Sequence, residues 1–169
     1  MRLVRKAKPR DSAKKAQAFA IIACTVFVVT SIAPALLADP GGLIPKSPNL
    51  VPTASRMKHG TVSVRNVGSA AAGPFKVTVE CNVVGRRGGC ADPPRRAVAP
   101  YEDPAFPNKL TVAVPGLAKG VVFNHKIAFW DALVWASGDY EFTVVADAGS
   151  TVGETNEGDN TGTTVMNVP

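Results

Sequence analysis

A side-chain period of two runs through the last thirty residues of the chain, and it demands extended backbone. Tyr140, Phe142, Val144 and Ala146 fall on one face, while Glu141, Thr143, Val145 and Asp147 fall on the other. This is the alternation of a half-buried strand. The next stretch gathers Gly149, Gly153, Glu154, Asn156, Glu157, Gly158, Asp159 and Asn160, and Thr161 to Val168 resumes an extended pattern. The segment is therefore expected to be a β-hairpin with a carboxylate-rich tip.

The same rhythm recurs upstream. Val62 and Val64 alternate with polar residues ahead of Asn66-Val67-Gly68, which has the composition of a turn. Phe75, Val77, Val79, Cys81 and Val83 share one face, opposite Lys76, Thr78, Glu80 and Asn82. Leu110, Val112 and Val114 mark a further strand ended by Pro115-Gly116, and Val121 to Trp130 is again extended in character. Ala128 to Ala136 is expected to form a turn of helix or to cross between sheets. Short strands with frequent turns and no βαβ alternation predict an all-β antiparallel sandwich over residues 59–169. Residues 39–58 hold four prolines and two glycines, which fits a flexible linker or an edge strand around Leu50 and Val51.

The N-terminal end points to export. The first 15 residues carry seven basic groups and one acid, and no charge falls between Ala16 and Ala38. A basic flank, an apolar run and small residues at its end make residues 1–38 a signal peptide or an N-terminal membrane anchor. Ala35 and Ala38 are the two candidate cleavage ends. The protein is thus expected to be secreted or periplasmic, or else held at the inner membrane by residues 16–38. The formal net charge of +6 resides wholly in this segment, because residues 39–169 hold twelve basic and twelve acidic residues. Nucleic acid is excluded as a partner on this ground, since phosphate binding needs a basic surface on the folded part. Contact with a membrane is expected only through the anchor.

Of the three cysteines, Cys24 lies in the apolar run, which leaves Cys81 and Cys90 as an even pair. An oxidising compartment would join them. The alternatives are two free thiols or a metal site, although His59 and His125 stand isolated in sequence. Between the strands, residues 84–108 carry five prolines, three glycines and four arginines, too long for an ordinary hairpin turn and unsuited to a central strand. We read this insertion as an extended loop clipped near its root by the disulfide. Its Arg86, Arg87, Arg95, Arg96, Tyr101 and Phe106 are candidate binding residues for a protein or an acidic glycan. Trp130 and Trp135 are expected in the core.

Catalytic motifs are absent: there is no Gly-x-Ser-x-Gly turn, no His-Glu-x-x-His pair and no glycine-rich phosphate loop after a strand. His59 is expected to be solvated and His125 to be packed and hydrogen-bonded, so no enzyme activity or obligate cofactor is expected. In the acidic turn, Asp147, Glu154, Glu157, Asp159 and Asn160 are hard oxygen donors, and calcium takes six to eight such ligands. A calcium site and a purely structural turn are both open, since Asn and Asp also favour turns by bonding their own backbone.

Taken in order, Asn66 and Gly68, Phe75 to Val79, Leu117 and Gly120, Gly138, Tyr140 and Phe142, Asp147, and then Val152, Glu154, Asn156, Glu157 and Asn160 resemble the CARDB family, the cell-adhesion-related domain found in bacteria. The similarity spans about residues 59–168, and the ETNEGDN turn is its most specific part. The resemblance implies an immunoglobulin-like sandwich of about seven strands, used as a non-catalytic module of exported and surface proteins. Two features depart from the family pattern: the insertion is larger, and Asp159 stands where asparagine is more usual. The expected function is an exported binding module of the bacterial cell envelope. The alternatives are a calcium-stabilised structural or envelope-assembly domain and an accessory domain to an exported enzyme.

Overall fold

The computed structural model describes residues 46–169. The export or anchor segment at 1–38 and the first part of the 39–58 run lie outside the described residues. Seven strands follow one another: β1 (Leu50–Pro52), β2 (Thr61–Asn66), β3 (Phe75–Val83), β4 (Leu110–Val114), β5 (Val122–Lys126), β6 (Gly138–Val145) and β7 (Thr161–Val168). They build two antiparallel sheets, ordered β1-β2-β5 and β4-β3-β6-β7. The all-β sandwich predicted from alternation is the fold. Among the described residues no helix is long and apolar enough to cross a membrane.

Register brings the inward faces together. Val77 lies opposite Val112, Val79 opposite Val144 and Cys81 opposite Phe142. From the second sheet come Val62 and Val64, and with Leu50, Met57, Ile127 and Phe142 they are sealed from solvent. Each such side chain contributes roughly 1.5–3 kcal/mol by leaving water, so these faces close the interior without a helix. The chain between β5 and β6 crosses from one sheet to the other and includes the predicted helical turn, a 3-10 turn at Trp130–Ala132. Trp130 is buried there against Phe142, with ring centroids 5.4 Å apart.

The described part of the 39–58 run is built into the fold, so the flexible-linker alternative gives way at residues 46–58. Composition misleads here because the prolines sit where little backbone pairing is lost, at the end of an edge strand and in the chain leading to it. Leu50–Pro52 pairs with β2, and a 3-10 turn at Ala54–His59 buries Met57. That turn ends at Gly60, in the left-handed region with φ 64°. A Cβ at Gly60 would lie 2.0 Å from Cγ of Trp130, so both the backbone and the packing require glycine.

Asn66, read from sequence as a turn residue, is fully buried and bonds on every side. The N–H groups of Asn49 and Gly68 donate to its Oδ1 at 3.2 and 3.0 Å. Its Nδ2 donates to the carbonyls of Ala70 and Leu117 at 2.8 and 2.9 Å. One amide thereby fastens the chain entering β1 and the chain leaving β4 to the end of β2.

The insertion at 84–108 is more structured than the extended loop expected. It contains a short helix, α1 (Arg95–Val98), followed by a 3-10 turn at Ala99–Tyr101. Proline composition hid this. Pro94 immediately precedes α1 and Pro100 lies in the first turn of the next element, positions where a missing N–H costs nothing.

Candidate functional site

Two places carry the residues singled out from sequence: the 84–108 loop and the acidic turn between β6 and β7. They differ in how their polar groups are used.

The loop is held at several points. Cys81 and Cys90 form a disulfide with a Cα–Cα distance of 6.1 Å. Lys76 pairs with Asp103 at 2.5 Å, and its ammonium lies 5.9 Å from the centroid of the Phe106 ring. The N–H of Ala105 also donates to Asp103 Oδ1. With the Lys76 hydrogen bond as the larger cause and this N–H as the next, the Asp103 carboxyl is held below its ordinary value. The Tyr101 hydroxyl accepts from the N–H of Ala128 at 3.1 Å and meets Nε2 of His125 at 3.2 Å.

These contacts correct one expectation. Tyr101, a candidate binding residue from sequence, is buried, its ring edge-on to Phe129 at 5.6 Å. It anchors the loop and presents nothing to a partner. His125 explains the misreading, because its half-buried ring offers the hydroxyl a partner from β5. Phe106 is half-buried. Arg86, Arg87, Arg95 and Arg96 are exposed, and none forms an ion pair among the described residues.

Between the loop and the inner face of β3 and β6 lies an open cleft of about 550 Å³. Its floor is Val79, the disulfide and Phe142, and its walls include Val98, Phe106, Phe129, Trp130, Leu133 and Trp135. Trp130 belongs to the core as expected, whereas Trp135 is only half-buried and faces this space. Nothing in the sequence announces the cleft, since its walls come from segments that are strands, loop and crossing in turn.

The acidic turn is stitched into the fold. Both oxygens of buried Asp147 are used: Oδ1 accepts from the N–H and hydroxyl of Thr151, and Oδ2 accepts from the N–H of Val152. Glu157 accepts from the N–H of Glu154 and from Asn160 Nδ2, each at 3.0 Å. Glu154 Oε2 accepts from the N–H of Leu50 in β1. Asn49 Nδ2 donates to Asp159 Oδ2 at 2.9 Å, and Asn49 Oδ1 accepts from the N–H of Asn156 at 3.1 Å.

Burial pushes the Glu154 carboxyl above its ordinary value. The Leu50 N–H and Asn160 oppose that shift, and the charges of Glu157 and Asp147 add to it. Among the described residues, three buried oxygens of this turn have no hydrogen-bond partner: Glu154 Oε1, Asp159 Oδ1 and Asn160 Oδ1. Among the described residues no group of three or more His, Cys, Asp or Glu side chains is arranged to hold a metal ion. The five candidate donors are therefore not brought together as one shell. Asp147 has turned its oxygens onto its own loop.

The hairpin, the turn and part of the loop that feeds β4 lie in the stretch that is similar to a known family. Residues 89–164 match the CARDB family model. The CARDB match begins within the 84–108 loop, runs through β4, β5, β6 and the acidic turn, and ends inside β7. It leaves β1 to β3 outside. Among solved structures, the CARDB domain of a Pyrococcus furiosus protein, in complex with di-metal ions, is similar at 19% identity. The likeness covers 76% of this chain and 94% of that one, with a TM-score of 0.41. No curated protein matches the chain.

Proposed function

We propose that this protein is an exported, non-catalytic binding module of the bacterial cell envelope, and that the outer surface of the 84–108 loop meets its partner. The observation that carries this reading is the contrast within the loop. Four guanidinium groups, on Arg86, Arg87, Arg95 and Arg96, stand exposed without ion pairs among the described residues, on a segment fixed by a disulfide, the Lys76–Asp103 pair and Tyr101. Guanidinium forks suit carboxylate or sulfate groups, and a fixed scaffold lowers the entropy lost on binding. The partner class is an acidic glycan or an acidic protein surface. Export rests on the basic and apolar pattern of residues 1–38.

The test is a glycan array and an envelope-protein pull-down with the wild type and the R86A/R87A/R95A/R96A variant. Loss of capture by the variant supports the loop. Equal capture by both removes it from consideration.

The second reading is a calcium-stabilised structural or envelope-assembly domain. It is favoured by the buried oxygens of Glu154, Asp159 and Asn160 that find no partner among the described residues. Three protein oxygens fall short of the six to eight that calcium takes, so water or further donors would have to complete the shell. A melting temperature that is the same in millimolar calcium and in EDTA disposes of this reading, because a ligand that binds only the folded state must stabilise it.

A further inference from the structure

We propose that the cleft beneath the 84–108 loop is a binding site for a small amphiphile with an apolar body and a cationic ammonium head. The proposal is independent of the arginine surface, which faces solvent rather than the cleft. Small-molecule sites are concave, mostly apolar and roughly 300–1,000 Å³ in size, with a few polar groups that orient the ligand. At about 550 Å³ this cleft falls within that range. Of its aromatic residues, Phe106 of the loop and Trp135 of the crossing between sheets are half-buried and offer ring surface to the space, with Phe129, Trp130 and Phe142 packed behind them.

The sign of the head group follows from the charges that remain uncompensated. Four ionisable residues line the cleft: Asp92, Glu102, Asp103 and Lys109. Asp103 is already paired with Lys76, and Lys109 with Glu80 at 3.5 Å. Neither Asp92 nor Glu102 has a cationic partner among the described residues, and both are exposed at the mouth. The remaining charge is negative. A cation also gains from aromatic faces, whose quadrupoles attract ammonium groups. A negative rim over aromatic walls therefore selects an ammonium head and rejects a carboxylate or sulfate head on the same apolar body.

The two tryptophans of the chain, Trp130 and Trp135, both line this cleft, so tryptophan emission reports on it without a label. Titration of the purified protein with octyltrimethylammonium, octyl glucoside and octyl sulfate, each below its micellar concentration, compares three head groups on one tail. The expected result is a saturable emission change with octyltrimethylammonium at an affinity at least about tenfold above that of octyl sulfate. The D92N/E102Q variant, which leaves the walls intact, is expected to weaken the cationic amphiphile by about threefold to tenfold, the range two rim charges supply. The V98W variant, which fills the cleft, is expected to abolish the saturable change. Equal affinity for the three head groups, no saturable change with any of them, or cationic binding untouched by both variants overturns the proposal. Glycan or protein capture through the arginines is read separately and survives or fails by itself.

Discussion

Asp159 accepts a hydrogen bond from the side chain of Asn49 at 2.9 Å across 110 positions of sequence. That bond belongs to a clasp. Thr155 donates its N–H to the carbonyl of Pro48 at 2.9 Å, Asn156 donates to Asn49, and Glu154 receives the N–H of Leu50. The carboxylate-rich tip is thereby fastened to the chain entering the first strand.

Asn66 is the most demanding polar residue in the fold. Replacing it with alanine takes the partner from the N–H groups of Asn49 and Gly68 and from the Ala70 carbonyl, while the Leu117 carbonyl keeps the Ala72 N–H. Each unsatisfied buried group costs about 1–3 kcal/mol, so Asn66→Ala is expected to lose at least about 2 kcal/mol. Urea denaturation checks this: an unchanged midpoint would mean that water replaces the amide.

Gly60→Ala is expected to be among the most damaging single-methyl additions available. The new Cβ meets the Trp130 ring at 2.0 Å on a backbone with φ 64°. Either the ring or the turn must move, and such combined strain and overpacking costs about 3 kcal/mol or more. Tryptophan emission and thermal melting measured together show which of the two gives way.

Glu154 gives stability a definite pH trend. Its carboxyl is raised above the ordinary value of 4.5 by burial first, so the folded protein holds this proton more tightly than the unfolded chain. Its contribution is therefore most favourable below the ordinary value and declines as pH rises through the raised one. Glu154→Gln keeps an oxygen for the Leu50 N–H and removes the charge. The expected outcome is a melting temperature that matches or exceeds the wild type at pH 7, with the difference shrinking towards pH 4. A constant difference across that window contradicts the assignment.

Asp103 carries the opposite sign. Lys76 and the Ala105 N–H hold its carboxyl below 3.8, so what it adds is present above the ordinary value and fades as pH falls through the lowered one. In Lys76→Gln the carboxyl is expected to titrate closer to 3.8, which carboxyl-carbon NMR reads directly. No movement of that titration would mean that the pair does not persist in solution.

The disulfide and Tyr101 test the anchoring of the loop. Opening a closed loop of about ten residues costs roughly 2.5–3 kcal/mol in the chain-entropy estimate. Tyr101→Phe removes an acceptor from the Ala128 N–H and should cost about 1 kcal/mol. Both C81S/C90S and Tyr101→Phe are expected to speed hydrogen exchange within 84–108 while the β3–β6 pairing stays protected. Uniform loss of protection across the sandwich would instead make the loop part of one cooperative unit with the sheets.

How much of this was legible in the sequence depends on how far apart the partners lie. Alternation revealed β2, β3, β4 and β6, because side-chain period is a local property of extended backbone. The role of Glu154 was illegible, since its acceptor function depends on Leu50, 104 residues away. Tyr101 misled for the same reason: burial was supplied by His125 and Phe129 from another segment. The prolines near β1 and α1 argued for irregular chain and sat instead at positions that tolerate a missing N–H. The cleft had no sequence signature, as concavity arises only when loop, crossing and sheet meet.

The clasp at the acidic tip has a mechanical meaning if the domain is tethered by its N-terminal side. A pull applied ahead of Ser47 first loads the bonds of Ser47 to Ser69, Ala70 and Thr155, and then those from Pro48, Asn49 and Leu50 to Thr155, Asn156, Asp159 and Glu154, with the Asn49–Asn66 contact. The strain is thus shared between both layers before any strand is peeled away. The carboxylates of the tip would act in this way as the buckle of a strap.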